Sequence, residues 1–353
     1  MRVLQLGPYP PPHGGVQSNL VAIRKFLLKR NIPCAVINIT RNRKADAEAV
    51  YYPQSSVELL ELLLRLKYDI VHLHLGGMLT RRLLGLSLVC CLMPKTKSVL
   101  TFHSGGYPSS PRGSKLGRNS LAGFVLRRFD RVIGVNPAIV EFFGKLGVPA
   151  ERRRLIYPHS LSADWTESQA LPDSLANFFK SHSPLLISVG LLEKEYDLPL
   201  QIEVLGQVRQ QFPNAGLLMI GSGSLEAQLR SQIAAQSYSS HILLSGDVAH
   251  KDTLQAIRQS DVMLRTTLYD GDAVSVREAL YLGIPVIASD NGMRPAGVRL
   301  IPSSNLDALV NEIQDVLSTA GEQSGSTAPV DETNIEAVFN VYQELVSGSS
   351  GAS

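Results

Sequence analysis

Residues 261–290 read DVMLRTTLYDGDAVSVREALYLGIPVIASD and contain the clearest fold pattern of the sequence. An apolar run opens it, and a loop with two aspartates follows. A helical pattern begins near Ser275, and a second β-rich run, PVIASD, closes the stretch. The order strand, loop, helix, strand predicts two parallel strands joined by a crossover helix.

The same alternation runs through the whole chain of 353 residues, a length that suits two domains. β-rich runs such as DIVHLH (69–74) and LLISVG (185–190) alternate with helical periods such as VQSNLVAIRKFLLKR (16–30). We therefore expect an α/β protein with two consecutive doubly wound parallel sheets. Ligands of such sheets bind outside the carboxyl ends of the strands, so a cleft between the domains is the expected site.

Two polar stretches interrupt the alternation, at residues 158–174 and at residues 318–334. They predict an N-terminal domain over residues 1–165, a second domain over residues 166–330 and a last helix over residues 331–347.

The composition, with 44% hydrophobic and 18% charged residues, is typical of a globular protein. The N-terminal sequence has no signal-peptide pattern. The longest apolar segment, residues 83–93, is short of the roughly 20 residues of a membrane span and predicts a buried helix. Three cysteines (Cys34, Cys90, Cys91) make neither a metal-binding nor a disulfide pattern. These features predict a cytoplasmic protein.

The net charge of +3 hides an asymmetry between the two halves. Residues 1–160 contain 24 Lys and Arg against 8 Asp and Glu, whereas the rest contains 10 against 23. The basic half is either a solvated surface or the contact for an anionic partner, such as a membrane face or a phosphorylated lipid. Nucleic acid is disfavoured, because aromatic residues are not interleaved with the basic ones.

Two glycine-containing loops each lead from a strand into a helix. Gly14 and Gly15 either bring backbone N–H groups close to an anion at the helix N-terminus or only permit a tight turn. The loop with Gly221 and Gly223 has Glu226 where a dinucleotide fingerprint requires a third glycine. A nicotinamide cofactor is therefore disfavoured.

Three histidines lie at or near strand ends. His72 and His74 share one face of a strand and form either part of a metal site or a satisfied structural pair, and no third ligand has useful spacing. His103 ends the next strand and precedes a glycine-rich loop, so we expect it to contact a ligand.

The acidic loop of the opening stretch has several interpretations. Asp270, Gly271 and Asp272 resemble a metal-binding D-x-D sequence, although further oxygen ligands are not evident. Ser275 to Glu278, SVRE, predicts a capping box. The same helix start predicts unpaired N–H groups at Val276 and Arg277, where a diphosphate could bind.

Several motifs in this order resemble the retaining GT-B glycosyltransferases, specifically glycosyltransferase family 4, over nearly the whole chain. The family signature is two glutamates separated by seven residues, and Asp270 and Glu278 hold those positions. The resemblance implies two Rossmann-like domains facing each other across a cleft, with the last helix packing back toward the first domain. It also implies sugar transfer from a nucleotide-diphosphate sugar with retained configuration and without a metal or cofactor. The matching motifs are PPHGGVQ (11–17), DIVHLH (69–74), VLTFH (99–103) and EALYLGIPVIASD (278–290).

The resemblance also implies roles for individual residues. Glu278 would bind the ribose, Asp270 would bind hydroxyls of the donor sugar, and His103 would contact the sugar near the bond that breaks. The other implied donor-binding positions are Gly14 and Gly15 beside the phosphate and the N–H groups of Ser275 and Val276 at the diphosphate. Asp247 and Val248 would lie at the nucleobase, and the backbone of Gly271, Asp272 and Ala273 at the donor sugar. Gly221 is a further expected donor-binding residue. Asp272 stands where the family usually has an apolar residue.

The cationic clamp of the family is the main departure. Leu191 stands at its arginine, and Lys194 is only near the position of its lysine. We hypothesise that Arg265 supplies the missing cation; the alternative is that Arg265 pairs with Asp270 or Asp272. The expected acceptor is a glycan or lipid-linked glycan in bacterial-type surface polysaccharide synthesis. The alternatives are a catalytically degenerate nucleotide-sugar binder and a metal-dependent transferase that uses Asp270 and Asp272.

Overall fold

The computed structural model describes residues 1–10, 14–40, 47–158, 171–268, 273–319 and 332–347. The chain divides into two compact units: residues 1–160 together with residues 331–353, and residues 161–330. The predicted boundary at residue 165 and most of the polar stretch at 318–334 lie outside the described residues.

The first unit is built on a parallel sheet of seven described strands. Their spatial order is β3-β2-β1-β4-β5-β6-β7, which is doubly wound, and the order reverses between β1 and β4. The strands are β1 (Val3–Gly7), β2 (Cys34–Asn38), β3 (Val50–Tyr51), β4 (Ile70–Leu75), β5 (Lys97–Phe102), β6 (Arg131–Gly134) and β7 (Arg153–Leu155). The helices before residue 160 are α1 (Gly15–Lys29), α2 (Ser56–Arg65), α3 (Arg81–Cys91), α4 (Leu121–Leu126) and α5 (Pro137–Lys145).

The second unit repeats the scheme with six described parallel strands in the order β10-β9-β8-β11-β12-β13. Its order reverses between β8 and β11. The strands are β8 (Leu185–Val189), β9 (Gly216–Ile220), β10 (Ile242–Gly246), β11 (Val262–Arg265), β12 (Val286–Ser289) and β13 (Arg299–Ile301). The helices are α6 (Asp173–Ser181), α7 (Leu198–Gln211), α8 (Glu226–Ala234), α9 (His250–Arg258), α10 (Val274–Tyr281) and α11 (Leu306–Thr319). The prediction of two doubly wound parallel sheets is confirmed.

Local sequence explains these elements. Every residue of β1 and of β4 is buried, as expected for central strands of a sheet that is covered on both faces. Helix α5 begins where Asn136 accepts a hydrogen bond from the N–H of Ile139 at 2.9 Å, with Pro137 as the first helical residue.

Helix α12 (Thr333–Ser347) packs on the first unit. It contacts α1, and its apolar face joins a core cluster with Val3, Ile23 and Ile70. Surface ion pairs join Glu344 to Arg131 at 3.5 Å and to Arg154 at 3.0 Å. The buried residues of the helix are Ile335, Val338, Val341, Tyr342 and Leu345.

The apolar segment 83–93 is helical over most of its length, in α3, but the helix is only partly buried. Its buried residues are Leu84, Ser87 and Cys90, and Leu92, which follows the helix, is exposed. Among the described residues, no helix is both long enough and apolar enough to cross a membrane.

Candidate functional site

The carboxyl edge of the second sheet brings several predicted residues together. Strands β8 and β11 are neighbours where the strand order reverses, so the residues after Val189 and at Arg265 lie side by side. This reversal is the usual ligand-binding place in a doubly wound sheet.

Arg265 is a buried cation at this edge. Its Nη1 donates to the carbonyl of Val189 at 2.8 Å, and its guanidinium carbon lies 4.6 Å from the ring centroid of Tyr196. A Cβ on Gly190 would come within 2.7 Å of Nη1, so glycine at this position makes room for the guanidinium. The arrangement holds a positive charge against the loop that follows β8.

The family's two clamp positions are different in character. Leu191 directly follows Gly190 and is 50% exposed, so an apolar side chain stands there. Lys194 is exposed and begins a short 3-10 turn, Lys194–Tyr196. The guanidinium of Arg265 therefore lies beside Gly190, the residue that precedes Leu191, and Leu191 stands at the family's arginine position.

The capping box predicted at Ser275 is wrong. Helix α10 begins at Val274 with Ala273 as its N-cap, and Ala273 makes no side-chain cap. The carbonyl of Ala273 accepts from the N–H of Val276 at 3.1 Å and from the N–H of Arg277 at 3.3 Å. Both N–H groups are therefore paired, contrary to the expectation that they would be unpaired. Since the helix starts earlier, Ser275 lies in its first turn, and its hydroxyl donates to the carbonyl of Val189 at 3.4 Å.

Glu278 has a partner that the sequence did not indicate. The side chain is buried, and its Oε1 lies 2.7 Å from Nε2 of His250. His250 is the first residue of α9, the helix that follows β10. The only signal in the sequence was the position of a histidine where a strand passes into a helix.

Gly221 and Asp247 follow the neighbouring strands β9 and β10. Gly221 has φ +138°, and a Cβ there would overlap the carbonyl of Gly190, so this position requires glycine. Asp247 accepts from the hydroxyl of Ser222 at 2.9 Å, and Val248 is the next residue. The loops after β8, β9 and β10 are thus in direct contact at one edge.

In the first unit, Gly14, Gly15 and His103 lie at the carboxyl edge of its own sheet. Gly14 is the extended N-cap of α1, and Gly15 is the first helical residue. The backbone N–H of His103 donates to the carbonyl of Leu75 at 2.8 Å, and its Nε2 lies 3.4 Å from Nδ1 of His74.

His72 and His74 are fully buried, and all four ring nitrogens have hydrogen-bond partners. His72 contacts the hydroxyl of Tyr342 at 2.5 Å and that of Thr101 at 2.7 Å. The rings of His72 and His74 lie 4.0 Å apart. Burial lowers the pKa of His72 to about 3 and that of His74 well below its usual value. These contacts agree with the interpretation of a satisfied structural pair.

Some predicted site residues lie outside the described part of the chain. They are Asp270, Gly271 and Asp272, so the pairing of Arg265 with either aspartate stays a hypothesis. Among the described residues, no three His, Cys, Asp or Glu side chains come together as a metal site would require.

Sequence models of two glycosyltransferase domains match the two halves of the chain. The Glycosyltransferase Family 4 model matches residues 14–159, and the Glycosyl transferases group 1 model matches residues 174–324. The chain belongs to the family 4 type of GT-B glycosyltransferases.

Solved GT-B structures and curated relatives agree with this assignment. HepE of Anabaena, solved in complex with UDP-glucose, superposes with a TM-score of 0.68 at 15% identity and covers 99% of this chain and 100% of its own. The amylovoran biosynthesis glycosyltransferase AmsK of Erwinia amylovora is 31% identical over 32% of this chain and 30% of its own. A GDP-mannose-dependent monoacylated alpha-(1-6)-phosphatidylinositol monomannoside mannosyltransferase of Corynebacterium glutamicum is 23% identical over 56% of this chain and 51% of its own. The chain thus spans about a third to a half of the length of the curated relatives it matches.

Within this GT-B glycosyltransferase, both doubly wound units carry predicted site residues at their carboxyl edges. The second unit carries Gly221, Asp247, Arg265, Ser275 and Glu278 there. These positions are consistent with the predicted fold class, which the comparisons confirm.

Proposed function

We propose that this protein transfers a sugar from a nucleotide-diphosphate sugar to an acceptor, with retention of configuration and without a metal. The observation that carries the proposal is the guanidinium of Arg265 beside Gly190, next to the first turn of α10. A departing diphosphate gathers negative charge, which a fixed cation and the positive end of the α10 helix dipole stabilise. In this proposal Arg265 supplies the positive charge that Leu191, at the family's arginine position, cannot supply.

The remaining contacts follow the family pattern. Glu278, oriented by His250, binds the ribose hydroxyls, while Asp247 and Val248 lie beside the nucleobase. Asp270 and the backbone from Gly271 to Ala273 bind hydroxyls of the donor sugar. His103 contacts the sugar near the bond that breaks, and Gly14 and Gly15 approach the phosphate.

Retention without a metal follows if the leaving phosphate itself accepts the proton of the attacking hydroxyl on the same face of the sugar. The measurement is the anomeric configuration of the product by NMR, together with turnover in a chelator. A product of inverted configuration contradicts the first point, and loss of turnover in the chelator contradicts the second.

We propose a lipid-linked or membrane-bound glycan as the acceptor, as in surface polysaccharide synthesis. In the first unit, α3 contacts α4. Leu121 and Phe124 on α4 are 53% and 44% exposed, and Met78, which precedes α3, is 50% exposed. Cations accompany them: Arg112 Nη1 lies 3.6 Å from the sulfur of Met78, and the guanidinium of Arg128 lies 3.5 Å from the ring centroid of Phe124. Apolar and basic groups together suit an anionic lipid surface.

A second candidate function is a nucleotide-sugar binder without turnover. The exposed Leu191 favours it, because the family's arginine is absent from that position. This alternative predicts that a nucleotide sugar binds to the protein but that no sugar is transferred.

The test is a panel of uridine, guanosine and adenosine diphosphate sugars, assayed for binding by thermal shift and for release of the nucleoside diphosphate. The true donor at 100 times its Kd stabilises the protein by about 2.7 kcal/mol. We expect Arg265→Ala to lower turnover by about a hundredfold or more and Arg265→Lys to restore part of it.

Two controls accompany that experiment. Arg230→Ala removes an exposed arginine of the same unit, paired with Glu226 on α8, and we expect unchanged turnover. Lys194→Ala removes the other candidate cation, so its turnover shows whether Lys194 contributes independently of Arg265. Equal turnover in Arg265→Ala and the wild type would end the proposal for Arg265, and binding without turnover in the wild type favours the second candidate.

A further inference from the structure

A chain of hydrogen bonds leads from Gln5 on β1 through His74 on β4 to His103. The side chains of Gln5 and His74 are fully buried where the order of the first sheet reverses. Gly7 lies beside them, and a Cβ there would come within 3.0 Å of the Cβ of His74, so glycine permits the approach.

The orientation of the Gln5 amide follows from its partners. Its Nε2 lies 3.2 Å from the carbonyl oxygen of Leu20 and 3.3 Å from the sulfur of Cys34. A carbonyl can only accept, so the amide nitrogen must face Leu20. The amide oxygen then faces Nε2 of His74, at 3.0 Å.

That orientation decides the proton on His74. An amide oxygen only accepts, so Nε2 of His74 carries the hydrogen. Burial lowers the pKa of His74 far enough that the ring is neutral, which leaves its Nδ1 with a lone pair. This Nδ1 faces Nε2 of His103 at 3.4 Å, so Nε2 of His103 is the donor.

We propose that Gln5 and His74 are positioning residues that hold His103 in the Nε2–H tautomer, so that an unprotonated Nδ1 faces the sugar ligand. In the described part of the chain, no group is hydrogen-bonded to this Nδ1. The part that concerns the sugar rests on the proposed function. Because a bare ring nitrogen only accepts, the ligand atom it meets is a hydroxyl that donates, and a carboxylate or phosphate oxygen is rejected there.

The neutral state of His103 agrees with this arrangement. Burial lowers the pKa of His103 to about 3, so the ring carries no charge at neutral pH. A neutral Nε2–H ring can donate to His74 and accept from a ligand at the same time.

His72 gives a matched comparison. It lies on the same strand face with its ring 4.0 Å from that of His74, but it bonds to Tyr342 and Thr101 and not to His103. Tyr342→Phe therefore removes one buried hydrogen bond from the same cluster without touching the chain from Gln5 to His103.

The experiment is long-range proton–nitrogen NMR on the full chain with ¹⁵N-labelled histidine, without ligand. We expect His103 to show a protonated Nε2 and an unprotonated Nδ1 in the wild type and in Tyr342→Phe. In Gln5→Met and in His74→Phe, which preserve size, we expect a mixture of tautomers. A protonated Nδ1 of His103 in the wild type overturns the proposal, and this measurement needs neither variant to fold.

The second readout is kinetic and uses the sugar donor that the panel identifies. We expect Gln5→Met to lower kcat by about tenfold or more with a smaller change in KM, since a misdirected group acts mainly on the reacting geometry. Unchanged kcat in Gln5→Met, with the tautomer lost, overturns the role of the tautomer in the reaction. If the panel yields no turnover, the proposed function fails, while the NMR spectrum still decides the tautomer.

Discussion

The carboxylate of Glu278 is buried, whereas its hydrogen-bond partner His250 is partly exposed to solvent. The side chain of Glu278 is 4% exposed, while that of His250 is 35% exposed. A buried carboxylate needs a hydrogen-bond donor, and His250 supplies one from a neighbouring helix. The pair is thus part of the fold of the second unit, and in our proposal it also presents the carboxylate to a ribose.

The two uses of Glu278 can be separated. Glu278→Gln keeps the volume and an acceptor, so we expect a loss of unfolding free energy below about 1 kcal/mol and at least about a tenfold loss of nucleotide affinity. His250→Leu leaves the carboxylate without this donor, and we expect a loss of about 1–3 kcal/mol. Urea unfolding and calorimetric titration measure the two quantities. Unchanged affinity in Glu278→Gln would assign Glu278 a structural role alone.

The buried histidines of the first unit predict a dependence of stability on pH. The pKa of His72 is about 3 in the folded protein and about 6.5 in an unfolded chain, so only the unfolded chain takes up a proton between these values. Stability therefore falls as the pH falls from about 6.5 toward 3, by up to about 1.4 kcal/mol per pH unit for this residue. In His72→Asn we expect a shallower slope of melting temperature between pH 7 and pH 5, and an identical slope contradicts the assignment.

Helix α12 completes the core of a sheet that lies far from it in sequence. Tyr342 is fully buried, and its hydroxyl meets His72, 270 positions away. We expect Tyr342→Ala to cost about 3–5 kcal/mol, as for other large buried aromatic residues. Glu344→Ala removes only surface ion pairs from the same helix, and we expect a cost below about 1 kcal/mol. Equal melting temperatures for the two variants would contradict the packing described for this helix.

Long buried strands were predictable because central parallel strands are nearly continuous apolar runs, as in β8 and β9. The edge strands β3 and β13 were missed, since two or three residues make no pattern. The prediction of a capping box at Ser275 was wrong because the sequence SVRE is equally compatible with the interior of a helix, which is where it lies in α10. Gln5 and His250 were missed because their partners are far away in sequence, and no spacing rule connects them.

The basic charge of the protein is concentrated in residues 1–160. If the apolar and basic surface at α3 and α4 docks on lipid, binding requires both kinds of group. We expect the protein to co-sediment with phosphatidylserine vesicles at low salt and not with neutral vesicles.

The variants for this experiment come from the same surface. We expect Phe124→Ser and Arg128→Glu each to weaken sedimentation several-fold, because one removes apolar contact and the other reverses a charge. Val57→Ser changes an exposed apolar residue on α2 and serves as the control. Wild-type protein that stays in the supernatant with anionic vesicles at low salt contradicts the docking surface.

The position of α12 also sets an order of events during synthesis. Its apolar face fills a core whose other members, among them Val3, Ile23 and Ile70, leave the ribosome first. The second unit has all of its described strands and helices before residue 320 and can close its cores before α12 emerges. The half of the molecule that is translated first therefore completes its core last, because the apolar groove that α12 fills stays open until Tyr342 is translated.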